Sequence, residues 1–338
     1  MKNTSIVLLV CGLLVSGAVV RAHHSAAAFN TQQEVKLTGT VTEYRFANPH
    51  VYITLSVKND NGSTRRVDVE AGAASVLVGL GFTKNSVKAG EVVTIVGNPG
   101  RKDPNALLLG KELYKADGTY VPLYIGSKSA YTSAGGSAAS TIAGTWFSPS
   151  TEFFGFMGQA GKWPFNDKAR AAMKGAADPT ATTQKDCIPI GVPAVMFYPV
   201  ANTITVRPDR VVLKVDWMST ERTIFLDGRA HPPADKTSLH GHSVGRWEGD
   251  TLVAETTNFS EHAMGLSTSA PSSTQKKVTE RFRLSPDKKT LLYSGVVEDP
   301  VYLAKPAEWS GKWEFRPAMQ HSNQKCNVEV ARRFLKEL

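Results

Sequence analysis

Short runs in which apolar and polar residues alternate, separated by tight turns, constrain this chain more than any other feature. Val35, Leu37 and Val41 alternate with polar neighbours, as do Val51, Ile53, Leu55 and Val57, and later Val67 and Val69. Successive side chains of a strand point to opposite faces, so this period marks half-buried strands. Asn48-Pro49 breaks the first pair, and Asn59-Asp60-Asn61-Gly62 is a hairpin signal. Ala71 to Leu80 changes period and predicts one short helix. Lys88-Ala89-Gly90-Glu91 then turns into a strand at Val92–Val96, with further strands near Leu107–Tyr114 and Tyr120–Tyr124. Three strands, a helix and two or more strands follow the order of a five-stranded OB-like barrel, which is predicted for residues 23–125.

Gly126 to Ala143 has almost no apolar bulk and reads as a flexible Ser/Ala/Gly linker. A second domain is predicted over 144–338. It opens with Gly144-Thr145-Trp146 and a loop-rich, partly helical segment in which Asn166 caps Asp167–Lys174. Short strands follow at 202–207, 210–217, 221–227, 242–248, 251–257, 276–284, 289–297, 309–316 and 326–334. Pro208-Asp209, Glu248-Gly249-Asp250 and Ser285-Pro286-Asp287 punctuate them. Strands at this spacing without helices predict an antiparallel, lipocalin-like barrel or a sandwich; the Gly-x-Trp opening is similar to that of lipocalins.

The first 22 residues have the pattern of a secretory leader. Lys2 is the positive start, Ile6 to Val20 an uncharged and largely apolar run, and Ala22 a small residue at the cleavage point. The run falls short of the roughly 20 apolar residues of a membrane span. A mature chain that is periplasmic or secreted, with no transmembrane segment, is expected. The whole chain carries a formal charge of +9, and removal of Lys2 and Arg21 leaves +7. These charges are scattered rather than gathered in a stripe, which argues against a nucleic-acid partner. Cys11 leaves with the leader, so Cys187 and Cys326 remain. Two cysteines in an oxidising compartment are expected to pair; the alternative is two buried thiols. A bridge would close a loop of about 140 residues and contribute roughly 4–5 kcal/mol. If the two cysteines lie on the first and last strand regions of a closed meander, the bridge staples its seam.

Two sets of motifs carry a resemblance. His23-His24-Ser25, Gly39-Thr40-Val41, Asn48-Pro49-His50 and Lys88-Ala89-Gly90-Glu91 resemble a domain of unknown function that begins with HHS and carries an NPH motif. Cys187 to Pro193, Asp227-Gly228-Arg229-Ala230-His231-Pro232, Gly241 to Val253 and Thr279-Glu280-Arg281-Phe282 resemble a second secreted domain of unknown activity. Together the likeness is to an uncharacterised exported bacterial two-domain family. It implies no established chemistry. Pro271-Ser272-Ser273 stands where that likeness leads one to expect a His-Ser-Glu segment.

Two candidate sites follow from the residues. Cleavage after Ala22 gives His23 both an α-amino group and an imidazole, and a third nitrogen from His24 or His50 completes a histidine-brace-like set suited to copper. Cleavage after Ala27 or Ala28 discards His23 and His24, and an unstructured metal-avid terminus is a further alternative. The second site is a polar set on the C-terminal barrel. His242, His231, Glu255 and Glu280 are the candidate catalytic groups, and Arg222, Asp227, Arg229 and Trp247 the candidate substrate-binding groups. A barrel interior holding His and Glu together supports acid–base chemistry on a small molecule, with isomerisation, hydration or elimination as reaction classes. The same residues read equally as a network that fixes the barrel. Gly241-His242-Ser243-Val244-Gly245 matches the nucleophile elbow, but a strand–turn–strand rather than a helix follows it. His240, His262 and His321 complete no metal set by spacing. Tyr44, Phe46 and Tyr52 read as core or as a carbohydrate-facing patch. The expected function is small-molecule binding or processing, with copper binding and a non-catalytic envelope adaptor as alternatives.

Overall fold

A computed structural model describes residues 28–125, 138–175 and 178–336, which build two β-barrels. In the first, β1 (Val35–Arg45) is long enough to serve two neighbours. Val35–Thr40 pair with β4 (Val92–Pro99) and Thr40–Arg45 with β2 (Tyr52–Lys58). A bulge between Val41 and Glu43 bends the strand at the changeover. Gly39 stands at this crossing, where a Cβ would lie 2.9 Å from the Ser56 carbonyl oxygen. β3 (Thr64–Glu70) follows β2 and pairs in parallel with β5 (Leu107–Lys115), which returns to β4 and closes a five-stranded ring. Ile53, Leu55, Val67 and Val69 fill it, and α1 (Ala74–Val78) adds Leu77. β6 (Tyr120–Pro122) extends β5. This is the OB-like order expected from the alternation. Tyr44 and Phe46 pack against Phe82 as core.

Within the predicted linker, residues 126–137 lie outside the described residues. Ala139 and Ile142 are buried, and the Trp146 indole donates to the Ile142 carbonyl at 2.8 Å.

The second barrel has nine strands: β7 (Gly144–Phe147), β8 (Ala201–Val206), β9 (Arg210–Val215), β10 (Thr220–Phe225), β11 (His242–Glu248), β12 (Thr251–Thr257), β13 (Lys277–Leu284), β14 (Thr290–Glu298) and β15 (Ala307–Phe315). It is a closed barrel rather than a sandwich, and it departs from the expected pattern in three places. β10 and β11 run parallel, through Ile224–Ser243 and Phe225–Val244, because residues 226–241 cross back instead of turning tightly. β7, only four residues long, is a barrel strand although its alternation is too brief to read. The predicted last strand, 326–334, is helical instead: Asn327 caps α4 (Val328–Arg332) by accepting the Val330 N–H at 3.1 Å.

The first and last strands do meet, but only through Trp146–Phe315 and Phe147–Glu314. An unpaired strand edge leaves backbone groups unsatisfied. Here α2 (Ser150–Ala160) covers that edge. Its Gln159 amide accepts the Ser310 N–H at 3.0 Å and donates to the Ser310 carbonyl at 2.9 Å, while Glu152 accepts the Lys312 N–H at 3.1 Å. The Trp163 indole donates to the Glu308 carbonyl at 3.0 Å. α3 (Asp167–Gly175) follows, with Asn166 accepting the Ala169 N–H as expected.

Cys187 and Cys326 are bonded, with Cα atoms 5.8 Å apart. The bridge lies off the seam: Cys187 ends a 3-10 turn at Thr183–Asp186, and Cys326 precedes α4. It therefore holds the C-terminal segment rather than two strands. That segment reaches the first barrel. The Asn48 side chain donates to the Gln324 carbonyl and the Asn48 carbonyl accepts the Asn327 N–H, both at 3.0 Å. Arg333 bonds Asp68 at 2.5 Å and lies 4.3 Å over the Tyr52 ring. Among the described residues no helix is long and apolar enough to cross a membrane.

Phe197, Phe282, Tyr293, Trp309 and Trp313 fill the second barrel around the ion pair Arg222–Glu280, whose side chains are 1% and 0% exposed. Removing one partner strands the other charge in an apolar core. Glu280→Ala is expected to lower the unfolding free energy by about 3–5 kcal/mol, whereas replacing both partners by leucine costs much less; urea unfolding of the two variants checks this.

Candidate functional site

The nine-stranded barrel divides the candidate residues into two sets. β11 turns Ser243 and Gly245 inward, where Ser243 bonds Thr256 at 2.8 Å and Gly245 packs against Ile224. His242, Val244 and Arg246 consequently face outward. β12 likewise presents Glu255 to the outside, and β13 turns Glu280 inside between Val278 and Phe282. The expected pairing of His and Glu in the barrel interior is thus corrected: Arg222 and Glu280 are inside, while His231, His242, Glu255, Asp227 and Arg229 lie on the outer wall. Alternation placed His242 and Ser243 on opposite faces but carries no sign for which face is inner.

Inside, Arg222 forks onto both Glu280 oxygens at 2.9 and 2.5 Å, and the Tyr293 hydroxyl donates to Glu280 at 2.8 Å. Burial, reinforced by the Glu280 charge, raises the Tyr293 phenol well above its usual pKa. This buried network holds the barrel, and it engages both Glu280 oxygens although Arg222 Nε has no hydrogen-bond partner among the described residues. Ser243 is buried against Thr256 and followed by a strand, which confirms that the G-x-S-x-G match is no nucleophile elbow.

The outer set is different. Residues 226–241 return over the wall, and the Asn258 amide pins them by donating to the Pro232 and Pro233 carbonyls at 3.2 and 2.9 Å. His231 Nδ1 then lies 3.1 Å from His242 Nδ1, and His231 Nε2 lies 3.6 Å from Glu255. Lys277 approaches the other Glu255 oxygen at 2.6 Å and, ahead of the His231 contact, holds that carboxyl below its usual range. At 3.6 Å the carboxylate is beyond hydrogen-bond reach, and His231 Nε2 has no hydrogen-bond partner among the described residues. The negative charge of Glu255 still favours the tautomer in which His231 carries its proton on Nε2. Its Nδ1 accepts from the Nδ1–H of His242, and His242 Nε2 is left unprotonated. Burial, then the neighbouring His231 and Arg229, lowers the His242 pKa below 6.5. Phe225 stacks on His242 with centroids 5.3 Å apart, and Arg229 lies 3.7 Å over the same ring. Asp227 grips Arg229 at 2.5 Å, an interaction that takes the Asp227 carboxyl down to about 2. Trp247, 42% exposed, stands apart at the other end of β11.

His23 and His24 lie outside the described residues. His50 is described: its Nδ1 is 3.1 Å from the Ala71 carbonyl oxygen and 3.3 Å from Glu70. The carbonyl is an acceptor, so Nδ1 carries a proton and Nε2 points away from it, while the Glu70 oxygen is near without a hydrogen bond. Glu70 itself accepts from the Tyr52 hydroxyl at 2.8 Å. Ala28 and Phe29 are anchored on Leu107 and Leu109, the latter paired with Glu70. Among the described residues no group of three or more His, Cys, Asp or Glu side chains is placed to hold a metal ion.

Residues 11–107 match a family of unknown function, DUF6152. The expected N-terminal domain of unknown function is therefore found, and the matched span takes in the His23-His24-Ser25 and Asn48-Pro49-His50 motifs and ends at the first residue of β5. The imidazole pair of the second barrel lies beyond it. No curated protein matches the chain.

Sequence reasoning missed a group of buried bases beside the Arg222–Glu280 pair. Lys276 donates to the Val192 and Gly265 carbonyls at 3.2 and 3.0 Å and lies 4.0 Å over Phe259. Burial lowers its pKa to about 7, against the pull of Asp299. His240 and His262 are both lowered to about 4, chiefly by burial, with Arg222 adding to the shift at His240 and Lys276 at His262. Neither residue type nor spacing marks these positions, since Lys276 ends a polar loop. For the two imidazoles the unfolded chain binds protons near pH 6.5 and the folded chain only near pH 4. Their contribution to stability is full above about pH 6.5 and is lost as the pH falls through 4. Unfolding midpoints should drop across that window, and His262→Gln should flatten the drop.

Proposed function

We propose that this is an exported protein that processes a small molecule by acid–base chemistry at the outer wall of its second barrel. One observation carries the reading: Glu255, His231 and His242 stand in series, with the two Nδ1 atoms 3.1 Å apart. His242 Nε2 is the general base. The charge it gains on taking a proton passes through Nδ1 to His231, whose Nε2–H faces the Glu255 carboxylate. A base held below its ordinary pKa is unprotonated and ready at neutral pH. Isomerisation, hydration and elimination are the reactions that such a base serves. The bonded cysteines agree with an oxidising compartment, and the pattern of residues 1–22 supports export by a cleaved leader. The test is depletion of a compound from an extract of the source cells by the mature protein. His242→Gln should reduce turnover by about 100-fold or more and Glu255→Gln by less, with the rate falling on the acid side of neutrality. If no compound is consumed by the native protein faster than by His242→Gln, this reading fails.

A second reading, copper binding through His23, His24 and His50, is favoured by the His50 tautomer. A ligating histidine commonly donates its other ring N–H to a carbonyl or carboxylate, as His50 does to the Ala71 carbonyl. The mature chain should bind one Cu(II) tightly, and an alanine added before His23 or the His50→Ala change should each abolish it. Unchanged affinity in the extended chain would remove this site.

A further inference from the structure

The outward residues of β13 are Lys277, Thr279, Arg281 and Arg283, and three clefts follow them in order, two along the outer wall and the third over the rim of the barrel, between the turns at Gly249-Asp250 and Ser285-Pro286. The first takes in Thr279 and Arg281, the second Arg281 and Arg283, and the third Arg283 and Trp247. Shared residues join them into one trough. At a rise of about 3.3–3.4 Å per residue, Lys277 to Arg283 covers roughly 20 Å. One end of the trough lies beside the imidazole series, because Thr279 pairs directly with Glu255 and Lys277 bonds it. The other end, over the rim, is Trp247, which shares the inward face of β11 with Ser243 and Gly245 but is exposed where the strand ends.

The lining defines the occupant. The central cleft, about 630 Å³, gathers Arg281, Arg283 and Lys312. Its carboxylate, Glu152, is already bonded to the Lys312 backbone N–H. Arg281 is shared with Glu248 at 2.9 Å, whereas Arg283 and Lys312 are exposed and make no ion pair among the described residues. Hydroxyls of Thr251, Thr279, Ser294 and Ser310 line the centre and the relay end, while Asp250 and Glu308 lie toward the outer ends. An extended ligand is called for, with an acidic group at the centre, hydrogen-bonding hydroxyls along its length and a flat face for Trp247. We propose that the trough binds an acidic oligosaccharide lengthwise along β13. On the reading of the imidazole series given above, this is the substrate class presented to His242. A nucleic-acid strand fits less well, since one aromatic ring gives no successive stacking platform and disulfide-bonded proteins reside where such strands are scarce.

Calorimetry with a trimer of galacturonic acid on the mature protein tests this, with neutral maltotriose and a short single-stranded DNA alongside. The uronate should bind and weaken as salt rises. Arg283→Gln should weaken it about tenfold and Trp247→Ala about fivefold, while maltotriose does not bind measurably. Both side chains are exposed, so circular dichroism should report an unchanged fold. No uronate binding at low salt, equal binding in both variants, or equally tight Arg283-dependent binding of the DNA would each overturn the proposal. Binding without turnover would instead sink the imidazole reading and leave the trough standing.

Discussion

The second barrel is organised around a charge pair that water cannot reach. Arg222 and Glu280 sit on strands separated by β11 and β12, and they meet across the interior rather than along the wall. Burying both is favourable only with close geometry and further hydrogen bonds, and Tyr293 and Thr256 supply two, although Arg222 Nε has no partner among the described residues. The pair thus fixes which residues of β10, β12, β13 and β14 face inward. Once those are set, His242 and Glu255 are forced outside, and the imidazole series forms on the wall as a consequence of the interior pairing.

Closure depends on the same economy of polar groups. β7 is too short to pair the whole of β15, and a bare edge would leave Ser310 and Lys312 amides unsatisfied. Side chains of α2 take the place of the missing strand. The long insertion between β7 and β8 is therefore part of the barrel wall, and its Phe156 and Phe197, stacked with centroids 4.5 Å apart, are part of the core.

How much of this was legible in the sequence follows from what alternation encodes. The five strands of the OB-like barrel and eight of the nine strands of the second barrel lie close to where period two placed them. The helix at Val328–Arg332 was misread because Val328 and Val330 alternate, while the deciding feature is the single capping bond from Asn327. The parallel β10–β11 pair was invisible because it extends over two residue pairs and depends on a sixteen-residue return, residues 226–241. His231, His242 and Glu255, grouped by the sequence, lie close together, but on the outer face rather than the inner one, since a barrel strand with Ser and Gly inward looks polar on both sides. Lys276 was missed because a buried amine bonded only to carbonyls leaves no trace in composition.

The order of the chain gives the C-terminal clamp a further meaning. Residues 322–336 follow every strand of both barrels, yet they supply the groups that sit on Asn48, Tyr52 and Asp68 of the first barrel. A chain that emerges from its amino end therefore completes its first barrel last. Without that tail the Tyr52 ring lacks the Arg333 guanidinium that lies over it, so a chain cut short before residue 322 differs from the full one at that face. Assembly is recorded there, by an element made more than two hundred residues later.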